Sequence, residues 1–559
     1  MNSSKLKDKK AFLFPCLIFL LAFFSILFHL GTPGLFETSE GRYASVARAM
    51  VDRGDYIVPV HNGLKHLTKP PVTYWAGAIG IKLFGVNEFG VRFLLAMAAA
   101  FTALGCYLIG KHLFNEKCAL AGSIILICSL FFQFQFRGFT TDPYLTMFET
   151  FMVFGFLRFL QTFGQRNNRR WELFFWFMAS MSMLTKGPPG LLPLVGLIPF
   201  AIYTKRKAEI LKLFKSVPGL MIFLFVGLGW YLVLAIKTPG LLSYFLIDET
   251  LKRVASDSHH RSAPFYLFLL LLPAGIFPWT TFLFSNLKKI YQDKDKSFAS
   301  LFLLFWLIGP LIIFTLSKSK LPAYGLPLLV PVALLATASI ERFFFSCKMT
   351  DAMKFHINFN AILLLILGIA LAAYGFSGKL VSENLNSSLI FVGLFWSLIS
   401  ICLFASNFFY NRMLVFALLA FVAPGFIFFS IPGIKGNEEL TPGKYLPSEW
   451  LLLRRIGNLP PEQKIVNVEE MIEGWYFYTG RNPITWNVNR ITRFDSTDAA
   501  RLVIQGPEQL KNTVDTQTMM VIRKKDLAKV SDVLDYNLKT IASEGKWLVV
   551  MPERRIGPQ

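Results

Sequence analysis

Between Leu35 and Lys69 the chain gathers Glu40, Arg42, Arg48, Asp52, Arg53 and Asp55 directly after its first long apolar run. A carboxylate can hold or take the proton of an attacking hydroxyl. Arg and Lys give charge-assisted hydrogen bonds to phosphate, bidentate in the case of Arg. One acid among several cations therefore suits a transfer in which a phosphate carries the developing charge, since such charge needs fixed positive groups. The same residue types recur later: Arg137, Asp142, Lys186, Lys318 and Lys320 near the ends of apolar runs, and Arg253 between two of them.

The elements that must position these groups follow from hydropathy. Of 559 residues, 54% are hydrophobic, 15% aromatic and only 16% charged, with 58 Phe. That is more apolar surface than one globular core can bury, and it suits helices facing lipid. The reading is a polytopic α-helical membrane protein. Lys5 to Lys10 precede a run at about 11–30 with no small-residue cleavage site, which reads as a retained helix rather than a signal peptide. Twelve further runs follow, at about 89–110, 118–136, 143–163, 171–185, 187–203, 214–236, 264–285, 298–316, 322–340, 357–376, 387–406 and 412–431, which predicts 13 spans. With a cytoplasmic N-terminus, the loops holding Lys205-Arg206-Lys207, Lys288-Lys289 and Arg166/Arg169/Arg170 fall inside, as the positive-inside rule requires. Arg42, Lys69, Arg137, Lys186, Arg253, Lys318 and Lys320 then sit outside, against that rule. An anionic ligand at the outer surface accounts for the set, where lipid snorkelling would account for single members.

Residues 1–431 form the transmembrane domain, with an outer loop at 31–88 in which Ser45 to Met50 reads as an amphipathic helix. Residues 432–559 carry 18 Lys/Arg against 16 Asp/Glu and read as a small α/β domain outside the membrane. Strands are expected at Lys464–Val468, Trp475–Thr479, Arg501–Gln505, Met519–Arg523 and Lys546–Met551, and helices near 447–456, 507–513 and 525–533. The net charge of +22 thus belongs almost wholly to the membrane part, where loop cations record topology, and no nucleic-acid partner is implied. None of the six Cys lies in the C-terminal domain, so no disulfide framework is expected there.

The first loop reads Ser39-Glu40-Gly41-Arg42-Tyr43-Ala44, then Gly54-Asp55, Lys69-Pro70-Pro71 and Phe89-Gly90-Val91-Arg92. Thr141-Asp142-Pro143, Leu184-Thr185-Lys186-Gly187-Pro188, Asp248-Glu249 with Arg253, and Ser319-Lys320-Leu321-Pro322 with Tyr324 follow in order. This pattern resembles the bacterial aminoarabinose (4-amino-4-deoxy-L-arabinose) transferases and the protein mannosyltransferase-like enzymes of the GT-C superfamily. Glu469-Glu470 and Phe477-Tyr478-Thr479-Gly480-Arg481 are a fainter echo.

The resemblance implies a sugar donor on undecaprenyl phosphate and an acceptor that is lipid A or another envelope glycan or protein, at the bacterial inner membrane with the C-terminal domain periplasmic. It also implies a lipid phosphate and sugar site drawn from Arg42, Tyr43, Lys69, Lys186, Asp248, Arg253, Lys320, Tyr324 and Glu470.

The chain departs from that pattern at two places. Ser39 stands where relatives carry the Asp taken as catalytic base, and a hydroxyl does not serve as that base at neutral pH unaided. Glu40, with Asp142 as partner or substitute, is then the expected catalytic carboxylate; the alternative is a divergent homologue that binds lipid phosphate without turnover. Thr68 stands where relatives often carry Glu, and Asp248 where a His can stand; that pair holds a divalent metal in relatives. His61, His66, His259 and His260 are the other ligand candidates, and no metal is assigned. A protein O-mannosyltransferase-like enzyme remains open, whereas a secondary transporter would need charged groups at the centres of the spans.

Overall fold

The computed structural model describes residues 3–37, 39–237, 240, 263–293, 297–344, 351–380, 383–409, 411–434, 463–487, 501–544 and 546–554. The chain divides into two units, one of residues 1–29, 68–72 and 95–434, the other of residues 30–67, 73–94 and 435–559.

In the first unit the apolar runs become helices. Among the described residues five are long and apolar enough to cross a membrane: Glu88–Leu113, Phe298–Leu316, Asp351–Phe376, Glu383–Ser406 and Arg412–Ile434, with mean hydropathy 2.0 to 2.5. Phe359, Ile362, Ile366 and Ile369 stand exposed along Asp351–Phe376, an apolar face that water would not tolerate at this density. Proline decides where several expected spans break. The run at 264–285 folds as Leu267–Gly275 and Thr280–Gln292, bent by 115°. Pro278 in the break cannot donate to a helical ladder. The runs at 187–203 and 322–340 open with 3₁₀ turns, Pro188–Leu191 and Pro322–Leu328, each started by proline. Helix Pro193–Tyr203 meets Phe298–Leu316 with no room between backbones: a Cβ on Gly196 would lie 1.9 Å from the Phe305 carbonyl oxygen.

The second unit contains helix Ser39–Arg53, the two-residue strands β1 (Val60–His61) and β2 (Leu64–Lys65), helix Val72–Phe84, and a six-stranded sheet. The sheet strands are β3 (Ile465–Val468), β4 (Ile484–Trp486), β5 (Val503–Ile504), β6 (Met519–Arg523), β7 (Tyr536–Glu544) and β8 (Trp547–Arg554), in the order β5-β4-β3-β6-β8-β7. The first four are parallel, while β8 pairs antiparallel with both β6 and β7. Alternate residues feed two cores. Val466, Val468, Met520 and Ile522 face one, and Ile465, Met519 and Val521 face the other. Burial on both faces explains why these strands read as unbroken apolar runs.

One expected strand is a helix. Trp475–Thr479 has strand-like composition but folds as one helical turn and a half, ending at Gly480 in the left-handed region (φ 71°). Its exposed backbone ends find partners in the second unit's own N-terminal segment. The Glu37 carboxylate accepts from the Glu473 and Gly474 amides at 3.0 and 2.9 Å, and Ser45 Oγ accepts from the Phe477 amide at 3.1 Å. Arg48 donates to the Tyr476 and Phe477 carbonyls at 3.3 and 2.7 Å. Capping of this kind satisfies the groups a short helix leaves open and overrides the aromatic preference for strands. Gly41 permits the approach, since a Cβ there would lie 2.8 Å from the Gly474 nitrogen. Strands β4 and β7 were not expected from the sequence; the expected helix at 447–456 lies outside the described residues.

Candidate active site

The charges of the first loop are largely committed to holding the fold. Arg92 donates from Nε to Glu40 Oε1 and from Nη2 to Glu40 Oε2, both at 2.6 Å. Its remaining N–H groups donate to the Leu30, Pro33 and Gly34 carbonyls at 3.1, 2.7 and 2.9 Å. Glu40 also accepts from the Phe36 amide at 2.9 Å, and the two side chains are 3% and 1% exposed. A carboxylate held in this way by a guanidinium and an amide has no oxygen left directed at an acceptor. Ser39, one residue earlier, is exposed at the helix start.

Arg42 donates to Glu473 Oε1 at 2.5 Å, with about a quarter of its side chain exposed. Glu473 also receives His61, whose Nε2 lies 3.3 Å from Oε2 and 3.0 Å from the Glu473 carbonyl. Tyr43 packs edge-on against Tyr74 at 5.7 Å. Burial, with the Glu473 carboxylate adding to it, pushes Glu37 up to about 8, against the pull of the two amides and Arg42. The folded protein therefore keeps a proton that the unfolded chain releases above a pKa of about 4.5. Stability of this unit is expected to fall as pH rises from about 5 to 8. Melting temperature followed against pH should show that slope in the wild type and lose it in Glu37→Gln; an unchanged slope in the variant would remove Glu37 as its source.

A different arrangement stands in the first unit. Helix Thr141–Gln161 places Asp142 in its first turn, where the aligned backbone amides favour negative charge. Helix Asn168–Lys186 ends on Lys186, where positive charge is favoured, and Gly187 (φ 77°) turns the chain away. The Lys186 ammonium bonds directly to the Asp142 carboxylate, both side chains being about nine-tenths buried. The same ammonium lies 4.3 Å from the centroid of the Tyr324 ring. Glu149, two turns along the same helix and 3% exposed, lies within electrostatic reach of both Lys186 and Asp142. This is one buried cation bonded to a carboxylate and set against an aromatic ring, with a second buried acid in electrostatic reach.

The other expected residues are more dispersed. Lys320 is buried and donates to the Ser317 carbonyl, while Lys318 is exposed. Lys69 is half-buried in the segment Thr68–Val72. Arg137 donates to the Ser25 and Gln133 carbonyls at 2.6 and 3.0 Å, which makes it a clamp on helix ends. Glu470 pairs with Arg523 at 2.5 Å. Asp248 and Arg253, like His259 and His260, lie outside the described residues. Among the described residues no three His, Cys, Asp or Glu side chains converge as a metal site. Thr68 offers only a hydroxyl, and His61 faces Glu473. Sequence reasoning missed Glu149 and Glu473 and quoted Arg92 without a role. Glu149 alone carried a visible signal, as a carboxylate inside an apolar run.

A family model described as dolichyl-phosphate-mannose-protein mannosyltransferase matches residues 68–232. The undecaprenyl phosphate-alpha-4-amino-4-deoxy-L-arabinose arabinosyl transferase 1 of Pseudomonas fluorescens is 30% identical over 361 residues, 64% of this chain and 63% of its own length. A second such enzyme from another strain of that species is 33% identical over 57% of each chain. The match thus spans less than two thirds of these relatives. The crystal structure of ArnT from Cupriavidus metallidurans bound to undecaprenyl phosphate superposes with a TM-score of 0.78 over 99% of both chains, at 20% identity. The chain resembles the aminoarabinose transferases and shares the fold of ArnT. That resemblance, expected from the scattered motifs at 39–44, 141–143, 184–188 and 319–324, extends in fold to the whole chain. The ArnT structure without ligand gives a TM-score of 0.79 at 19% identity.

Proposed function

We propose that this protein is a polyprenyl-phosphate-dependent glycosyltransferase of the bacterial inner membrane. It moves a sugar, with 4-amino-4-deoxy-L-arabinose the first candidate, from undecaprenyl phosphate to lipid A or another envelope acceptor. The observation that carries this reading is the buried Asp142–Lys186 pair on Tyr324 at the ends of two apolar helices. The donor phosphate competes with Asp142 for Lys186. As it takes the ammonium, Asp142 is left free beside the reacting centre. The bond between the sugar's anomeric carbon and the phosphate oxygen breaks, and that carbon bonds to the acceptor oxygen. The acceptor proton passes to Asp142, and undecaprenyl phosphate leaves with its charge held by Lys186, with Lys69 as a further candidate. Glu40 is reassigned from this step to holding the loop, because Arg92 occupies both its oxygens. The reading includes 13 spans, a cytoplasmic N-terminus and a periplasmic domain at 432–559.

The protein reconstituted with undecaprenyl-phosphate aminoarabinose and lipid A should yield lipid A heavier by one sugar residue. Donor binding without transfer to lipid A or to protein would favour the divergent homologue suggested by Ser39. Failure to bind undecaprenyl phosphate at all would overturn the reading.

A further inference from the structure

We propose that the crevice at the carboxyl ends of β3 and β6 binds a phosphorylated saccharide, a site separate from the donor phosphate and independent of the transfer reading. The strand order supplies the first argument. From β3 the chain steps outward through β4 to β5, then crosses back to place β6 on the other side of β3. Parallel strands that diverge in this way leave a gap beyond their carboxyl ends, the place where open α/β sheets take ligands. β3 ends at Val468 and β6 at Arg523, so Glu469, Glu470 and Lys524 follow directly at that edge.

Charge supplies the second. Arg523, Lys524 and Lys525 at the end of β6 and Lys546 before β8 line a cavity of about 340 Å³ beside Glu470, a volume within the range of small-ligand sites. Arg523 is held by Glu470 at 2.5 Å, Asp526 at 2.8 Å and Glu469 at 3.7 Å. Lys546 lies 3.7 Å from Glu470, and Lys529 bonds to Glu469. Among the described residues Lys524 and Lys525 have no carboxylate partner. Three carboxylates thus face five cations, and the surplus of two matches the charge of a phosphomonoester near neutral pH, about −1.5 to −2. The carboxylates are suited to accept hydrogen bonds from sugar hydroxyls while Arg523 stays oriented.

The backbone adds a third observation. Glu469 adopts φ 59°, a conformation that side-chain-bearing residues rarely hold, at the mouth of this crevice. Its amide donates to the Trp486 carbonyl at 2.9 Å and that of Glu470 to Val468 at 2.7 Å, which fixes the turn that presents both carboxylates. A nucleotide is disfavoured on the same evidence. The residues after β3 are Glu469-Glu470-Met471-Ile472-Glu473, with acids where a dinucleotide site needs glycines to approach a pyrophosphate.

The test uses the full chain in nanodiscs of zwitterionic lipid, titrated calorimetrically with glucosamine 1-phosphate, glucosamine and inorganic phosphate. Saturable binding of the sugar phosphate, weakened at least tenfold in the exposed double variant Lys524→Ala/Lys525→Ala, is the expected result. Lys186→Ala, which disables the proposed donor site, should leave this affinity unchanged. Equal affinity in wild type and the double lysine variant would overturn the proposal, as would loss of the signal in Lys186→Ala. Inorganic phosphate binding as tightly as the sugar phosphate would overturn the saccharide assignment.

Discussion

Asp142→Asn is expected to lower the rate of sugar transfer by about 10²–10⁴-fold while donor affinity stays within a few-fold of wild type. Asn keeps the shape of the side chain but not its capacity to take a proton. Removing a carboxylate beside a buried ammonium would ordinarily threaten the fold. Here the Tyr324 ring remains 4.3 Å from the Lys186 ammonium and the Asn carbonyl can still accept from it, so the lysine keeps partners after the substitution. Lys186→Met should behave differently. It removes the group assigned to the phosphate, so donor binding should weaken by roughly 1.5–3 kcal/mol, with turnover falling as well. Binding of undecaprenyl phosphate and single-turnover transfer, measured separately, distinguish the two roles. Full turnover in Asp142→Asn would move the proton acceptor elsewhere, and unaltered donor affinity in Lys186→Met would remove the lysine from the phosphate site.

The two members of that pair were legible in the sequence for a simple reason. Asp142 and Lys186 each sit at a junction where an apolar run meets a charge, and such junctions are local. Their contact is not local, being separated by 44 residues, and only the packing of the two helices creates it. The first loop shows the opposite case. Its charge density was read as a ligand site, but Arg42, Arg48 and Asp52 answer partners more than 400 residues away: Glu473, the Tyr476 and Phe477 carbonyls, and the Tyr476 hydroxyl. No periodicity within residues 35–69 reveals such partners. The same contacts explain the misread strand. Trp475-Tyr476-Phe477-Tyr478 has strand-like composition, and its helical state depends on caps contributed by Glu37, Ser45 and Arg48. The sheet was more legible because β3, β6 and β8 are apolar on both faces, whereas β7 alternates with Lys539, Thr540 and Ser543 and offers little apolar signal.

Breaking the Glu40–Arg92 pair is expected to be the most destabilising single change in the second unit. Glu40→Ala leaves Arg92, 1% exposed, without its counter-charge, and removing one partner of a buried pair costs about 3–5 kcal/mol. Glu40→Gln retains an acceptor for the Phe36 amide but not the charge, so it should fall close behind. Hydrogen exchange over helix Ser39–Arg53 reports the change directly. Its amides should exchange roughly 10²–10⁴-fold faster in Glu40→Ala, the equivalent of that free energy. A swap of both partners for apolar residues often restores stability at buried ion pairs. It should do so only in part here. Arg92 also satisfies the Leu30, Pro33 and Gly34 carbonyls, and Glu40→Leu/Arg92→Met leaves all three without that donor. The residual loss in the double variant measures what Arg92 gives to the turn rather than to Glu40. The outcome also decides the role of Glu40. Glu40→Gln that unfolds readily, yet transfers at the wild-type rate per folded molecule, fits a carboxylate that shapes the loop. Glu40→Gln that is as stable as wild type and has lost turnover would return Glu40 to the catalytic step and leave Asp142 to bind.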